Sequence, residues 1–369
     1  MKDRKLSQRR VWQTKALHIF TIFCLLLAGC TTKTPFIFFP EEPAPPRVQL
    51  LTSFNDQGSL QNNKTLSLLI GETVGGGLSK GYGLAFHNGQ LYVADSGKAS
   101  QGIAVVDFEQ RTIDYFKDRL RKPFNIAIDT DGTLYTGDLG EEINPSIVVF
   151  DAQHNYLKQF SFSRESGIRP LGLLIDGDNL FISGSTNNEI QVLNKNTGEI
   201  IRTIATDPPL GMPIHLSKTP EGNILVTETL AASLRLLSPS GEILKPIGSR
   251  GARAGNFVRP KSTAVDRSGN IYAVDIAFQN VQIFNSEGQP LMNFGIVGGN
   301  QQTLVMPAGI AITYDRMDIF QKYAAPDFIL EYVIAVSSQG SPNAGSKITL
   351  YGFGKKVGID YTAPIPDTK

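Results

Sequence analysis

Apolar positions alternate with polar ones in short bursts along most of this chain, and one such burst is written six times. Each copy opens as Pro-x-x-apolar-x-apolar, turns, runs through a second short apolar strand, and in most copies reaches an acid before a third strand begins. The copies start at Gly81, Pro123, Pro170, Pro213, Pro260 and Pro307, at intervals of 42, 47, 43, 47 and 47 residues. Those intervals match the roughly 40 to 50 residues of one four-stranded propeller blade. The pattern therefore predicts an all-β protein, a six-bladed β-propeller over residues 47–354.

The fifth copy shows the elements most clearly. Ser262 to Val265 reads as the innermost strand, Asp266-Arg267-Ser268-Gly269 as a tight turn with glycine where positive φ is needed, and Asn270 to Val274 as the second strand. Val281 to Phe284 and Pro290 to Phe294 complete it. The sixth copy lacks an outer strand after Ile348 to Phe353, whereas Arg47 to Phe54 has outer-strand composition and no inner strand of its own. Pairing the two would close the ring and hide two sheet edges. Within the same copy, Asp315 to Phe328 is an insertion in which Met317, Phe320 and Tyr323 recur at helical spacing until Pro326. It is read as a short helix that either caps apolar surface or docks another protein.

Outside the repeats, residues 1–29 have a basic start and an apolar run, Ala16 to Ala28, too short to span a bilayer, as in a secretory signal. The run ends in Leu27-Ala28-Gly29-Cys30, which resembles the lipobox of bacterial lipoproteins and implies acylation of Cys30 by chains such as palmitate. More than one acyl chain holds a protein stably on a membrane. Thr31, where an aspartate would signal inner-membrane retention by the same resemblance, points to the outer membrane of a bacterial envelope. Residues 30–46 are proline-rich and read as a tether in which Phe36 to Phe39 either dip into the membrane interface or pack on the propeller. Residues 355–369 read as a flexible tail.

Cleavage before Cys30 changes the charge. It leaves 29 basic against 33 acidic residues, a formal net charge of −4 that gives no case for a nucleic-acid binder. It also removes Cys24, so the mature chain can form no internal disulfide, haem-attachment motif or thiolate zinc site.

The run from Pro260 to Asn285, with GNIYAVD and NVQIFN, is similar to the NHL repeat, and the resemblance extends over residues 81–354. More narrowly, the lipobox, the tether, the QLLTSF strand, KYAAPDFILEYVIAVSSQGSPN and the final YGFGK resemble a group of bacterial NHL-repeat lipoproteins often encoded near multihaem cytochromes. That resemblance implies a scaffold or accessory subunit whose partners are envelope proteins, multihaem c-type cytochromes among them, with no cofactor of its own.

Some NHL propellers are enzymes, and the amidating lyases among them hold zinc on three histidines. Here the mature chain keeps only His87, His154 and His215. The first two fall in turns and read as exposed. His215 occupies the inner-strand place filled elsewhere by Gly83, Asn125, Gly172, Ser262 and Gly309, where it is either a metal ligand or a packed side chain. Asp95, Asp138, Glu228 and Asp275 recur after the second strands, either to collect a cation as in six-bladed calcium-dependent lactonases or to serve the fold. Repetition in successive copies favours a structural job, accepting hydrogen bonds from the following loop. No residue is singled out as catalytic. Just before the inner strands stand Lys80, Lys122, Arg169 and Arg259, with Lys261 beyond, and Tyr82 and Phe124 interleave with them. They form either a basic rim for an acidic partner or small anion, or a merely solvated loop face. The expectation is a lipid-anchored protein-interaction propeller, with a metal-dependent lactonase or lyase, or a small-ligand binder, as the rival.

Overall fold

The computed structural model describes residues 36–61, 77–98, 101–140, 143–184, 186–295, 303–340 and 346–361. The chain divides into Met1–Phe36, of which only Phe36 is described, and Ile37–Lys369. Cys30 thus lies outside the described residues.

From Ile37 onward the chain forms six antiparallel sheets arranged as a ring, five of four strands and one of five. Blades 1 to 5 are contiguous and start at their inner strands, Gly81–His87, Pro123–Ile128, Gly172–Asp176, Pro213–Lys218 and Pro260–Val265. Proline opens three of these five because the first residue of a strand can go without an N–H. Turn chemistry follows the sequence. Gly132 and Gly269 have φ of 87° and 83°, and their N–H groups donate to the carbonyls of Asp129 and Asp266. The hydrophobic core is divided and lies mainly between blades, with a small further cluster of Leu139, Leu171 and Ile214 beside Phe124 nearer the axis. Six clusters fill the six interfaces, for example Tyr272, Val274 and Ile283 against Ile310, Ile334 and Tyr351 between blades 5 and 6.

Blade 6 consists of Pro307–Thr313, Phe328–Ser338, Lys347–Lys356 and the early strand Val48–Phe54. The closing register runs from Val48 opposite Phe353 to Phe54 opposite Ile348, the pairing expected from the sequence. Ile37–Phe39 adds a fifth strand outside Val48–Phe54. Three residues of the expected tether therefore belong to the propeller. Phe39 packs 6.3 Å from the rings of Phe294 and Tyr351, and Phe38 packs 5.4 Å from Phe328. The expected tail is ordered at its start, because the Tyr361 hydroxyl donates to the Pro46 carbonyl and accepts from the Lys356 N–H.

The insertion forms a single α turn, Met317–Phe320, running into a 3-10 turn, Gln321–Tyr323. It buries Ile319 and Phe320 between blades 6 and 1, and Arg316 pairs with Glu109 of blade 1 at 3.1 Å. This is the capping alternative.

Candidate functional site

Antiparallel alternation brings the start of every inner strand and the end of every second strand to one end of the ring, the mouth. There the recurring acids act. Asp95 accepts from the N–H groups of Ser79, Lys80 and Gly97, at 2.7, 2.7 and 3.0 Å. Asp138 takes those of Arg121, Lys122 and Gly140, and Asp275 those of Val258, Arg259 and Ala277. Glu228 accepts from Gly211 N–H at 2.6 Å and from Arg235 Nε at 3.0 Å. All four carboxylates are buried. Their role is structural, but the loop they hold is chiefly the one preceding the inner strand, not only the one following the acid. Each charged acceptor satisfies several N–H donors, with net worth of about 1.5–3 kcal/mol per bond.

Those same loops carry the rim. The residue immediately before the start of each repeat is Lys80, Lys122, Arg169, Met212, Arg259 and Met306 in blades 1 to 6. Lys80, Arg169 and Arg259 are exposed, and Lys122 is half-buried. Met212 and Met306 are 45% exposed, and Leu230 and Val258 at the same end are 65% and 39% exposed. The Tyr82 and Phe124 rings meet at 4.4 Å, with the Lys80 ammonium 5.6 Å from the Tyr82 centroid. The structure thus brings the predicted aromatic pair together beside one cation and distributes the other cations around the mouth. Sequence reasoning missed the apolar members. Aligning the copies on the residue before the inner strand would have shown both methionines.

Below the rim lies a cavity of about 20 Å³ on the axis. Its walls are two tiers of inner-strand residues: Tyr82, Phe124, Ile214, Lys261 and Ala308 above, Gly83, Asn125, His215, Ser262 and Gly309 below. Successive strand residues normally face opposite sides. Here both tiers face the axis because the ladder shifts register at this point in blades 1, 2, 4, 5 and 6. Blade 3, whose paired strand begins at Gly172, contributes neither tier. Glycines are required by closeness: a Cβ on Gly309 would lie 1.9 Å from the Tyr82 carbonyl oxygen.

His215 is at the axis, as its sequence position implied. Its Nδ1 accepts from the Thr263 N–H at 3.4 Å, and desolvation pulls its pKa down to about 4, so it is neutral at pH 7. Burial, and then Arg259, lower the pKa of Lys261. His87, the last residue of its inner strand, and His154, in a turn, lie at the other end of the ring, and His87 is half-buried rather than the exposed turn residue expected. His154 is not the exposed turn residue expected, since its ring stacks on Phe116 at 4.6 Å and meets the Tyr92 hydroxyl at 3.2 Å. Among the described residues no three His, Cys, Asp or Glu side chains converge as a metal site.

No protein-family model matches this chain, and no curated protein does. Solved structures do. A Bacteroides thetaiotaomicron VPI-5482 protein of unknown function has a TM-score of 0.57 at 12% identity, over 83% of this chain and 76% of that one. A gluconolactonase from Xanthomonas campestris has 0.54 at 14% identity, over 88% of this chain and 99% of that one. Virginiamycin B lyase from Staphylococcus aureus has 0.50 at 12% identity, over 83% and 99%. At such identities the likeness is one of fold.

Proposed function

We propose that this six-bladed propeller is a lipid-anchored envelope scaffold of the NHL type, held through acylated Cys30 at the outer membrane, whose mouth docks an acidic envelope protein. A multihaem c-type cytochrome within an electron-transfer assembly is the first partner to test, by the resemblance of the sequence. The observation that carries the docking reading is the composition of the mouth. Lys80, Lys122, Arg169 and Arg259 stand among exposed Met212, Leu230, Val258 and Met306, and the loops of Lys80, Lys122 and Arg259 are fixed by hydrogen bonds to buried carboxylates. Adaptable methionines and aromatics within a charged rim suit a protein surface, and fixed loops lower the ordering cost of binding.

The rival reading is a metal-dependent lactonase or lyase using His215. A solved gluconolactonase and a solved virginiamycin B lyase share the fold, which supports it. Against it stand a cavity too small for a lactone and walls without a carboxylate. Stoichiometric metal in the purified mature protein, lost together with activity, would favour the enzyme.

Affinity capture from native membranes at low salt tests the scaffold. Replacing Lys80, Lys122, Arg169 and Arg259 by glutamate should reduce recovery of the partner at least tenfold while labelled palmitate still enters the protein. A Cys30→Ser chain should take up no label. Undiminished recovery by the charge-reversed protein would remove the mouth from consideration.

A further inference from the structure

The axial cavity lies beneath the rim and has a chemistry of its own. Ser262 is 3% exposed, lines the cavity, and its hydroxyl has no hydrogen-bond partner. A buried hydroxyl left unpaired costs about 1–3 kcal/mol, so an occupant that accepts from it would be stabilised here. The wall is largely apolar, with a few donors set into it. His215 accepts at Nδ1 from Thr263, which places its proton on Nε2. Asn125 turns its Oδ1 to the Ile126 N–H at 2.8 Å and gives one amide hydrogen to the Leu171 carbonyl at 3.0 Å, leaving the second hydrogen over. Lys261 supplies the only formal charge in the wall, and that charge is positive.

No carboxylate lines the cavity, so a cation finds no counter-charge there. Four further cations on the rim reinforce the sign. The volume of about 20 Å³ admits one water-sized or halide-sized occupant and excludes a sugar or lactone. Water would serve Ser262 but leave the Lys261 charge uncompensated in a partly buried place.

We infer that this axial cavity is a binding site for a small monovalent anion of halide size, held by Lys261, Ser262, His215 and Asn125. Desolvation and Arg259 both disfavour the charged form of Lys261, and a bound anion relieves both. The site does not depend on the docking reading, because its walls are inner strands rather than rim loops.

Bromide is the probe. The mature protein is melted in rising bromide at constant ionic strength, with gluconate as the replaced anion, and crystals soaked in bromide are examined for anomalous scattering. The expected result is a saturable rise in Tm with an anomalous peak on the axis. In Lys261→Met the half-maximal bromide concentration should rise at least tenfold, and Ser262→Ala should weaken binding by a smaller factor. Three outcomes overturn the inference: water alone at the axis, an axial peak without any effect in solution, meaning binding at crystal concentration only, or equal bromide dependence in native and Lys261→Met proteins.

Discussion

Blades 5 and 6 share an interface but are held by opposite strategies. Blade 5 is contiguous, and its carboxylates are anchors within the blade. Asp275 gathers the N–H groups of Val258, Arg259 and Ala277, and Asp266 those of Ser268 and Asn270. Blade 6 has no acid at the end of its second strand. Hydroxyls stand there instead: Ser337 accepts from Gly309 and donates to the Tyr82 carbonyl, while Ser346 accepts from Gly81 and donates to the Ser338 carbonyl. The two meet where the hydroxyls of Tyr272 and Tyr332 hydrogen-bond to one another and to Asp266. The difference teaches that a blade made locally can be clamped by one charged side chain. A blade made from both ends of the chain depends on strand pairing across some 300 residues, and so on the integrity of the whole ring.

The largest effect should come from breaking that closure. Deleting residues 48–54 removes the partner of Lys347–Lys356 and exposes its edge, and calorimetry should show loss of the cooperative transition rather than a lowered Tm. A truncated protein melting like the intact one would contradict closure. Next, Asp275→Ala leaves several partly buried N–H groups without their acceptor and should cost about 3 kcal/mol in denaturant unfolding.

His215, on the blade beside blade 5, sharpens the contrast through pH. Its folded pKa of about 4 lies below the usual 6.5, so between those values the unfolded chain binds the extra proton. Stability should therefore fall as pH drops from 6.5 towards 4, by on the order of 2 kcal/mol. The difference between native and His215→Asn proteins should isolate this increment, and parallel stability–pH curves would refute it. Smallest, Ser346→Ala in blade 6 should cost about 1 kcal/mol, because one neutral hydroxyl anchors less than a carboxylate. A loss there as large as that of Asp275→Ala would erase the distinction between the two blades.

Much of this was legible along the chain. Period-two runs, turn glycines and the 42 to 47 residue spacing specify blades because each lies within one contiguous segment. The closing strand was legible as an outer strand without an inner one, and the structural role of Asp95, Asp138, Glu228 and Asp275 as recurrence. The rim cations were visible for the same reason. Ile37–Phe39 was not, because three apolar residues among prolines carry no period and became a strand only when the edge of Val48–Phe54 was there to receive them.

The sequence by itself determined how many blades there are, where each turns, and which residue type stands before each inner strand. All of these are local patterns of polarity and backbone freedom. Only the tertiary structure decided that the register shifts aim two tiers at the axis, that Lys261, His215, Ser262 and Asn125 share one small cavity, and that His154 packs against Phe116. The physical reason is that ring closure sets the distance between residues on different blades, and no segment read alone contains that distance.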